Sequence, residues 1–324
     1  MLTRKRLSNL LPPGLICSVF STIWATHALL HLHPLLWEQK YLPRDVSTGQ
    51  ERSFRWAGEW TGWAETAISQ LCALMVVITY NLAVFTHPGM VPDSAEWKLD
   101  AVEGADAGAG SSLPATREYK ASGNRRFCKW CRVYKPDRTH HCRVCKSCVL
   151  RMDHHCPWIM NCVGYRNHKY FMLLVIYAWF GCTFYATTLV QSVVFAAYQE
   201  TLEMHRFFIV FAETLSVMMC VLLTAFLLFH LWLTARGLTT IEFCEKSFTN
   251  SSSITYNLGI WRNLKAVFGD KVWLWLCPFA RPSGDGVRFE VAPDQVSYHQ
   301  RTSTATSSIY HLSSSSPATS LTRG

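Results

Sequence analysis

Four long stretches without a single Asp, Glu, Lys or Arg decide what this chain can fold into: residues 14–37, 66–92, 170–199 and 214–235. Each reaches or exceeds the roughly 20 residues a helix needs to cross about 30 Å of hydrocarbon. In that medium no water satisfies backbone N–H and C=O groups, so a spanning segment must bond internally, and a helix does so. Four such runs in one chain are hard to reconcile with buried helices of a water-soluble core. The sequence therefore predicts an α-helical polytopic membrane protein with transmembrane helices at 15–36, 66–86, 170–198 and 208–235. The composition agrees, with 49% hydrophobic and only 16% charged residues.

The distribution of cations sets the expected orientation. The first run follows Arg4, Lys5 and Arg6, lacks a small-residue cleavage site and is too long for a signal peptide, so it reads as a retained anchor. Lys and Arg number four in 38–65, fourteen in 87–169, one in 199–213 and nine after residue 235. The positive-inside rule then puts the N-terminus (1–14), the central loop and the C-terminal region in the cytosol, and the 37–65 and 199–207 loops in the lumen or outside the cell. The net charge of +9 is concentrated in the central loop, where fourteen basic residues face eight acidic ones. Beside a bilayer this favours anionic headgroups or a phosphorylated small molecule as partner, and no nucleic acid. His27, His31 and His33 in the first span read as interfacial, and Glu213 as a snorkelling or capping group near a span end.

The 87–124 segment opens with the turns His87-Pro88-Gly89 and Val91-Pro92 and passes into "DAVEGADAGAGSSLPAT", a small, polar, glycine-rich mobile linker. A cysteine-rich segment occupies 125–169. In the C-terminal region, 236–296, the stretch "YNLGIWRNLKAVFG" carries Leu258, Trp261, Leu264 and Phe268 at helical spacing, which predicts a short amphipathic helix on the membrane face. The Ser/Thr-rich tail, 297–324, is expected to be disordered.

Seven of the thirteen cysteines fall between Cys128 and Cys162. On the reducing side of a membrane, paired spacing favours zinc or catalysis over disulfides. Cys128/Cys131 and Cys142/Cys145 are C-x2-C knuckles, each able to supply two ligands of a tetrahedral zinc site. His140, His141, Cys148, His154, His155, Cys156 and Cys162 remain, more than two four-ligand sites can use. One cysteine and two histidines are therefore surplus. Local chemistry favours Cys156 as the spare: His154 and Asp153 just before it can serve as a base and as the group orienting that base. The alternative, that Cys156 is one more ligand of a purely structural scaffold, stays open on spacing alone.

The run "CKWCRVYKPDRTHHCRVCKSCVLRMDHHCPWIMNCVG" resembles the cysteine-rich domain of the DHHC protein S-acyltransferases, the palmitoyltransferases. It lies, as in that family, between the second and third of four spans. "TTIE" at Thr239 to Glu242 resembles the family's TTxE motif, and Asn263 with "VFG" its C-terminal amphipathic motif. The resemblance implies a cytosolic domain of short β-hairpins holding two structural zinc ions. One zinc takes Cys128, Cys131, His141 and Cys148; the other takes Cys142, Cys145, His155 and Cys162. Cys156 is then the acylated nucleophile, His154 its base and Asp153 the orienting acid. The chain departs from the family in having His87 where an Asp is common and Met160-Asn161 where Asn-Asn is common.

What the resemblance implies is a two-step, ping-pong transfer of a long-chain acyl group from acyl-CoA such as palmitoyl-CoA, through a thioester on Cys156, to cysteines of cytosol-facing, membrane-associated proteins. An endomembrane location, Golgi or ER, is expected ahead of the plasma membrane. Lys135, Arg138, His140, Arg143 and Lys169 are candidate contacts to the CoA phosphates. Gly181, about 16 Å into the third span, is a candidate for the site of the acyl chain's methyl end. A RING-type ubiquitin ligase would need a closing C-x2-C pair, which is missing after Cys148, and a transporter would need broken or charged spans.

Overall fold

The structure is a computed structural model that describes residues 4–37, 59–98, 116–120, 122–198, 202–248, 255–280 and 284–291. Most of the expected glycine-rich linker, the 38–58 loop and the Ser/Thr-rich tail lie outside the described residues. Among the described residues four helices are long and apolar enough to cross a membrane, so the chain is an integral, multi-pass membrane protein. The first, α1, runs Arg4–Thr26 and continues through a π turn, His27–Leu32, into His33–Trp37. The second is α2, Glu59–Phe85; the third and fourth are α3, His168–Tyr198, and α4, Glu203–Ala235. Leu, Val, Phe and Trp on their outer faces remain exposed, among them Leu71, Leu74, Val221 and Leu228, as helices solvated by lipid require.

Two expectations for the spans need correction. His27 and His31 are buried, not interfacial. All four of their ring nitrogens meet polar groups on neighbouring helices: His27 meets Thr188 and Ser69, and His31 meets Ser192 and Glu65. Polar groups inside a bundle must find such partners, and the π turn widens α1 where these rings pack. Glu213 does not sit near a helix end either. Because α4 begins at Glu203, it lies about 15 Å along the helix.

Between α2 and α3 stand three antiparallel hairpins: β1 (Phe127–Cys128) with β2 (Val133–Tyr134), β3 (His140–Cys142) with β4 (Ser147–Val149), and β5 (His154–Cys156) with β6 (Asn161–Val163). They are moored to the end of α2. Asn161 Nδ2 donates to the carbonyls of Ala83, Val84 and Thr86 at 3.2, 3.0 and 3.0 Å, and Asn167 Nδ2 to Ala83 O at 3.3 Å, which satisfies last-turn carbonyls that have no partner inside the helix. The chain leaving α2 then pairs with the hairpins through Leu150 N to Gly89 O and Arg166 N to Pro88 O, both 3.0 Å. This approach is so close that a Cβ on Gly164 would fall 2.8 Å from Pro88 O and 2.5 Å from Val149. Both departures from the family pattern fit this mooring. His87 Nδ1 accepts from Gly89 N at 3.1 Å, the local turn bond an Asp side chain makes, and Asn161, with Asn167, supplies the mooring amides without a second Asn at position 160.

The segment after α4 closes over the hairpins. Leu238 N donates to Leu233 O and Gly237 N to Thr234 O, a Schellman ending with Gly237 at φ +67°. Short helices follow at Thr240–Phe248 (α5) and Ile260–Phe268 (α6). The expected amphipathic helix is α6, but its apolar stripe divides: Phe268 is buried with Val267 and Asn263, while Ile260 and Trp261 are exposed. Asn263 Nδ2 donates to Ala235 O, so α6 is fastened to the end of α4.

Arg138 locks this closure. Its Nε and Nη2 meet the two Glu242 oxygens at 2.6 and 2.8 Å, Nη2 also reaches Gly237 O, and its guanidinium carbon lies 4.6 Å from the ring centre of Tyr256. Both charged side chains are largely buried, with 4% and 11% exposure. Removing one partner of a buried ion pair leaves an uncompensated charge and typically costs about 3–5 kcal/mol. Glu242→Gln should therefore lower the thermal unfolding midpoint of the purified protein sharply, and Arg138→Lys, which loses the two-pronged geometry, should lower it too. A Glu242→Gln protein that melts like the parent would show that this pair holds nothing together.

Candidate active site and metal clusters

Strand alternation decides where each cysteine and histidine goes. Neighbouring residues of a strand face opposite sides, and residues directly across a hairpin face the same side. In the second hairpin His141 lies opposite Cys148, and in the third His155 lies opposite Cys162. Each pair therefore points together, toward a knuckle of the preceding hairpin. The result is two Cys3His clusters, Cys128/Cys131/His141/Cys148 and Cys142/Cys145/His155/Cys162, each with ligand atoms within 4.8 Å of one another.

The donor sets fit zinc. Zn–S bonds of ~2.3 Å and Zn–N bonds of ~2.0–2.1 Å in a tetrahedron put neighbouring donors about 3.5–3.8 Å apart. His141 Nδ1 lies 3.5, 3.3 and 3.9 Å from the sulfurs of Cys128, Cys131 and Cys148. His155 Nδ1 lies 3.7, 3.4 and 3.6 Å from those of Cys142, Cys145 and Cys162. Four protein donors close each site, so a metal there would cross-link strands of two or three residues and leave no position for substrate.

His154 and Cys156 flank His155 on β5 and so face away from the second cluster. His154 Nδ1 is 2.6 Å from Asp153 Oδ2, which leaves the other ring nitrogen for its hydrogen bond with Cys156. Burial works against the Asp153 carboxylate, yet hydrogen bonds from His154 and the Thr240 N–H hold it well below the usual carboxylate range. Burial likewise pulls His154 down, but its hydrogen bonds to Asp153 and Cys156, with their charges, outweigh this and lift it to about 9. The ring is braced by Phe171 at 5.2 Å and His230 at 5.8 Å between centroids. Cys156 is buried in an apolar cluster that includes Ala83 of α2, Phe171 and Val175 of α3 and Leu227 of α4.

Several residues take roles that no local pattern announced. Thr240 donates its N–H to Asp153 Oδ1 at 2.9 Å and its hydroxyl to Oδ2 at 2.8 Å, from 87 residues away in sequence. His168 is buried beside this group. Of the candidate phosphate contacts, Arg138 is committed to Glu242, and Lys169 is buried with Nζ donating to Leu274 O at 2.9 Å; each is drawn inward by a partner inside the fold. Burial, with the charges of Arg126 and Lys135, pushes His140 down to about 4. Lys135 is half-buried and Arg143 exposed. A sequence signal for the ligand sets did exist: both clusters follow C-x2-C-x9-H-x6-C, the second displaced by fourteen residues from the first.

This division of labour has a direct test in metal analysis. Cys156→Ser and His154→Ala should keep the parent metal content, whereas His155→Ala should lose the second cluster's ion and become sensitive to proteolysis, because structural zinc contributes folding energy directly. Equal metal loss in His154→Ala and His155→Ala would refute the assignment.

Comparison with known proteins agrees with this geometry. Residues 121–247 match the DHHC palmitoyltransferase family. The chain is 36% identical over 246 residues to probable protein S-acyltransferase 16 of Arabidopsis thaliana, covering 72% of this chain and 83% of that protein. It is 40% identical over 172 residues to palmitoyltransferase ZDHHC15 of Homo sapiens (52% of this chain, 51% of that protein) and 37% identical over 172 residues to palmitoyltransferase ZDHHC20 of Homo sapiens (52% and 47%). The chain thus spans about half the length of these human relatives and most of the plant one. With two interleaved Cys3His clusters, a spare Asp-His-Cys group and four membrane helices, it belongs to the DHHC palmitoyltransferase family.

Proposed function

We propose that the chain is a protein S-acyltransferase that moves a long-chain acyl group from acyl-CoA to cysteine thiols of membrane-associated proteins, through a thioester on Cys156. The observation that carries this reading is the placement of Cys156: outside both metal clusters, hydrogen-bonded to the Asp153-backed His154, and buried in the apolar cluster where the hairpins meet the membrane helices. The basic residues of 87–169 support a cytosolic site.

In the first step the Cys156 thiolate attacks the thioester carbonyl of acyl-CoA. The new S–C bond forms, the bond to the CoA sulfur breaks, and the departing thiolate takes the proton held by His154. In the second, His154 accepts the proton of the substrate thiol, whose thiolate attacks the acyl carbonyl and displaces Cys156. Thioester exchange has little net driving force, so the chain's tasks are to keep a sulfur deprotonated and to place the acyl group. His154 does the first, and Asp153, fixed by Thr240, sets the ring's tautomer and direction. Metal at the two clusters would supply rigidity. The acyl chain would lie against the apolar cluster around Cys156, and of the candidate cations Lys135 and Arg143 are the ones with exposed or half-buried side chains to meet CoA phosphates.

Gly181 is proposed to leave room for the methyl end. A Cβ there would sit 3.7 Å from Cys72 Cβ and 3.8 Å from the Tyr185 ring, ordinary contacts that a methyl fits and a large side chain does not. Gly181→Tyr should shift donor preference toward shorter acyl-CoAs; a uniform loss across chain lengths would assign the glycine to helix packing.

The function is tested by incubating purified protein with an alkyne-tagged acyl-CoA. The parent should acquire a hydroxylamine-labile label and Cys156→Ser none; label retained in that variant would contradict the proposal. A hydrogen bond to a charged group contributes about 1.5–3 kcal/mol, so Thr240→Val should slow labelling by roughly tenfold or more, with Thr240→Ser restoring most of the rate. Equal rates in Val and Ser variants would show that the hydroxyl does not act on Asp153.

A further inference from the structure

The fourteen-residue repeat that builds the two clusters does not stop after the second hairpin. Its backbone occurs three times. Cys128 pairs with Val133, Cys142 with Ser147 and Cys156 with Asn161, the same register in each hairpin. Each turn also carries one non-glycine residue in the left-handed region at the same place: Arg132 at φ 55°, Lys146 at φ 54° and Met160 at φ 50°. Cys156 therefore occupies the position of the first knuckle cysteine, held by Cys128 and Cys142 in the other two. The second knuckle position is Cys131, then Cys145, then Ile159. Ile159 is 1% exposed and lies in the same apolar cluster as Cys156.

Beside Cys156 stands one further side chain of the kind that ligates metal, His154. A carboxylate, Asp153, holds one ring nitrogen of His154 and so directs the other at the sulfur. A carboxylate behind a histidine beside a thiolate is the arrangement that orients metal-bound histidines and raises their affinity. Measured against the C-x2-C-x9-H-x6-C pattern, the third copy has Lys169 and Ile176 at the later ligand positions, and within its own knuckle it lacks the second thiolate, which a knuckle supplies from a tight turn.

We propose that the nucleophile hairpin is a third zinc-knuckle unit lacking its second ligand, and that Ile159 is the positioning residue that keeps Cys156 free of metal. The substitution removes a donor where the backbone is shaped to present one and puts apolar contact in its place. A soft divalent cation is then left with one thiolate and one imidazole there, too few to compete with the complete Cys3His clusters. The thiol stays available to an electrophile. The inference rests on the proposed role of Cys156 as nucleophile, but it concerns metal occupancy, which is measured without acyl-CoA.

The test is Ile159→Cys in the full-length protein, purified in detergent under reducing conditions and saturated with zinc, then with cobalt. We expect one metal ion per chain more than the parent, an added thiolate-to-cobalt charge-transfer absorption, and loss of iodoacetamide labelling at Cys156 that a chelator reverses. Ile159→Ser, similar in size but no ligand for soft metals, should keep the parent's metal content and labelling. Cys156→Ser combined with Ile159→Cys should lose the additional ion. Ile159→His, which places a different ligand at the same turn position, repeats the measurement if the cysteine variant does not fold. Parent-level metal content and undiminished Cys156 labelling in the ligand-bearing variants would overturn the proposal, as would an additional ion that persists without Cys156. If instead metal behaves as expected but the parent protein takes no acyl group from acyl-CoA, the functional reading fails and this one stands.

Discussion

Everything at the site depends on cross-linking strands too short to hold themselves. The hairpin strands are two or three residues long, and an isolated hairpin of that size is not stable in water. The two Cys3His clusters tie each hairpin to the next, and structural zinc in comparable small folds contributes on the order of 10 kcal/mol. Period-two alternation then turns this scaffold into chemistry. His155 is held for a metal, so its neighbours His154 and Cys156 must face the other way, toward Asp153's bonding network and the apolar cluster between the membrane helices.

A second layer of order comes from far along the chain. Thr240 gives Asp153 two hydrogen bonds, and Glu242, two residues on, forms the buried pair with Arg138, three residues before the first cluster's His141. The Thr239 and Glu242 side chains also bond reciprocally with each other's backbone or its neighbour, fixing the start of α5. The helix bundle is thereby coupled to Asp153. Its fourth helix is followed by Gly237, whose carbonyl accepts from Arg138, and α6 is bonded to the end of that helix through Asn263. A change in the packing of α4 would be felt at His154 through Asp153 as well as through the tilted and edge-on ring contacts of His230 and Phe171.

The sequence made legible what is local or periodic. Four uncharged runs, the C-x2-C knuckles and the Asp-His-His-Cys cluster each carry their meaning within a few dozen residues. Of the partners that act across long separations, Thr240 and Glu242 stood out only through the TTxE resemblance, without a role, and the pairings themselves left no such trace. Arg138 reads as one more cation of a basic loop whether solvated or buried, and only Glu242, over a hundred residues later, decides which. Lys169 is similar: its stem begins the third span, and its partner is a carbonyl at Leu274. His27 and His31 look interfacial from hydropathy because the groups that satisfy them, Thr188, Ser192 and Glu65, sit on other helices. The fourteen-residue repeat is different in kind. It is fully present in the sequence, yet shorter than the 20–50-residue periods of familiar repeat folds, and only the hairpin registers make its third copy plain.

The central claim is that one cysteine of the seven in this domain is withheld from metal so that it can carry the acyl group. Native mass spectrometry after brief exposure to palmitoyl-CoA, followed by peptide mapping, measures both halves at once. The account predicts a protein that gains an acyl group with its metal content unchanged, the adduct mapping to Cys156 and to none of the six cysteines of the clusters. An adduct on any cluster cysteine, or metal released as the acyl group is gained, would contradict it.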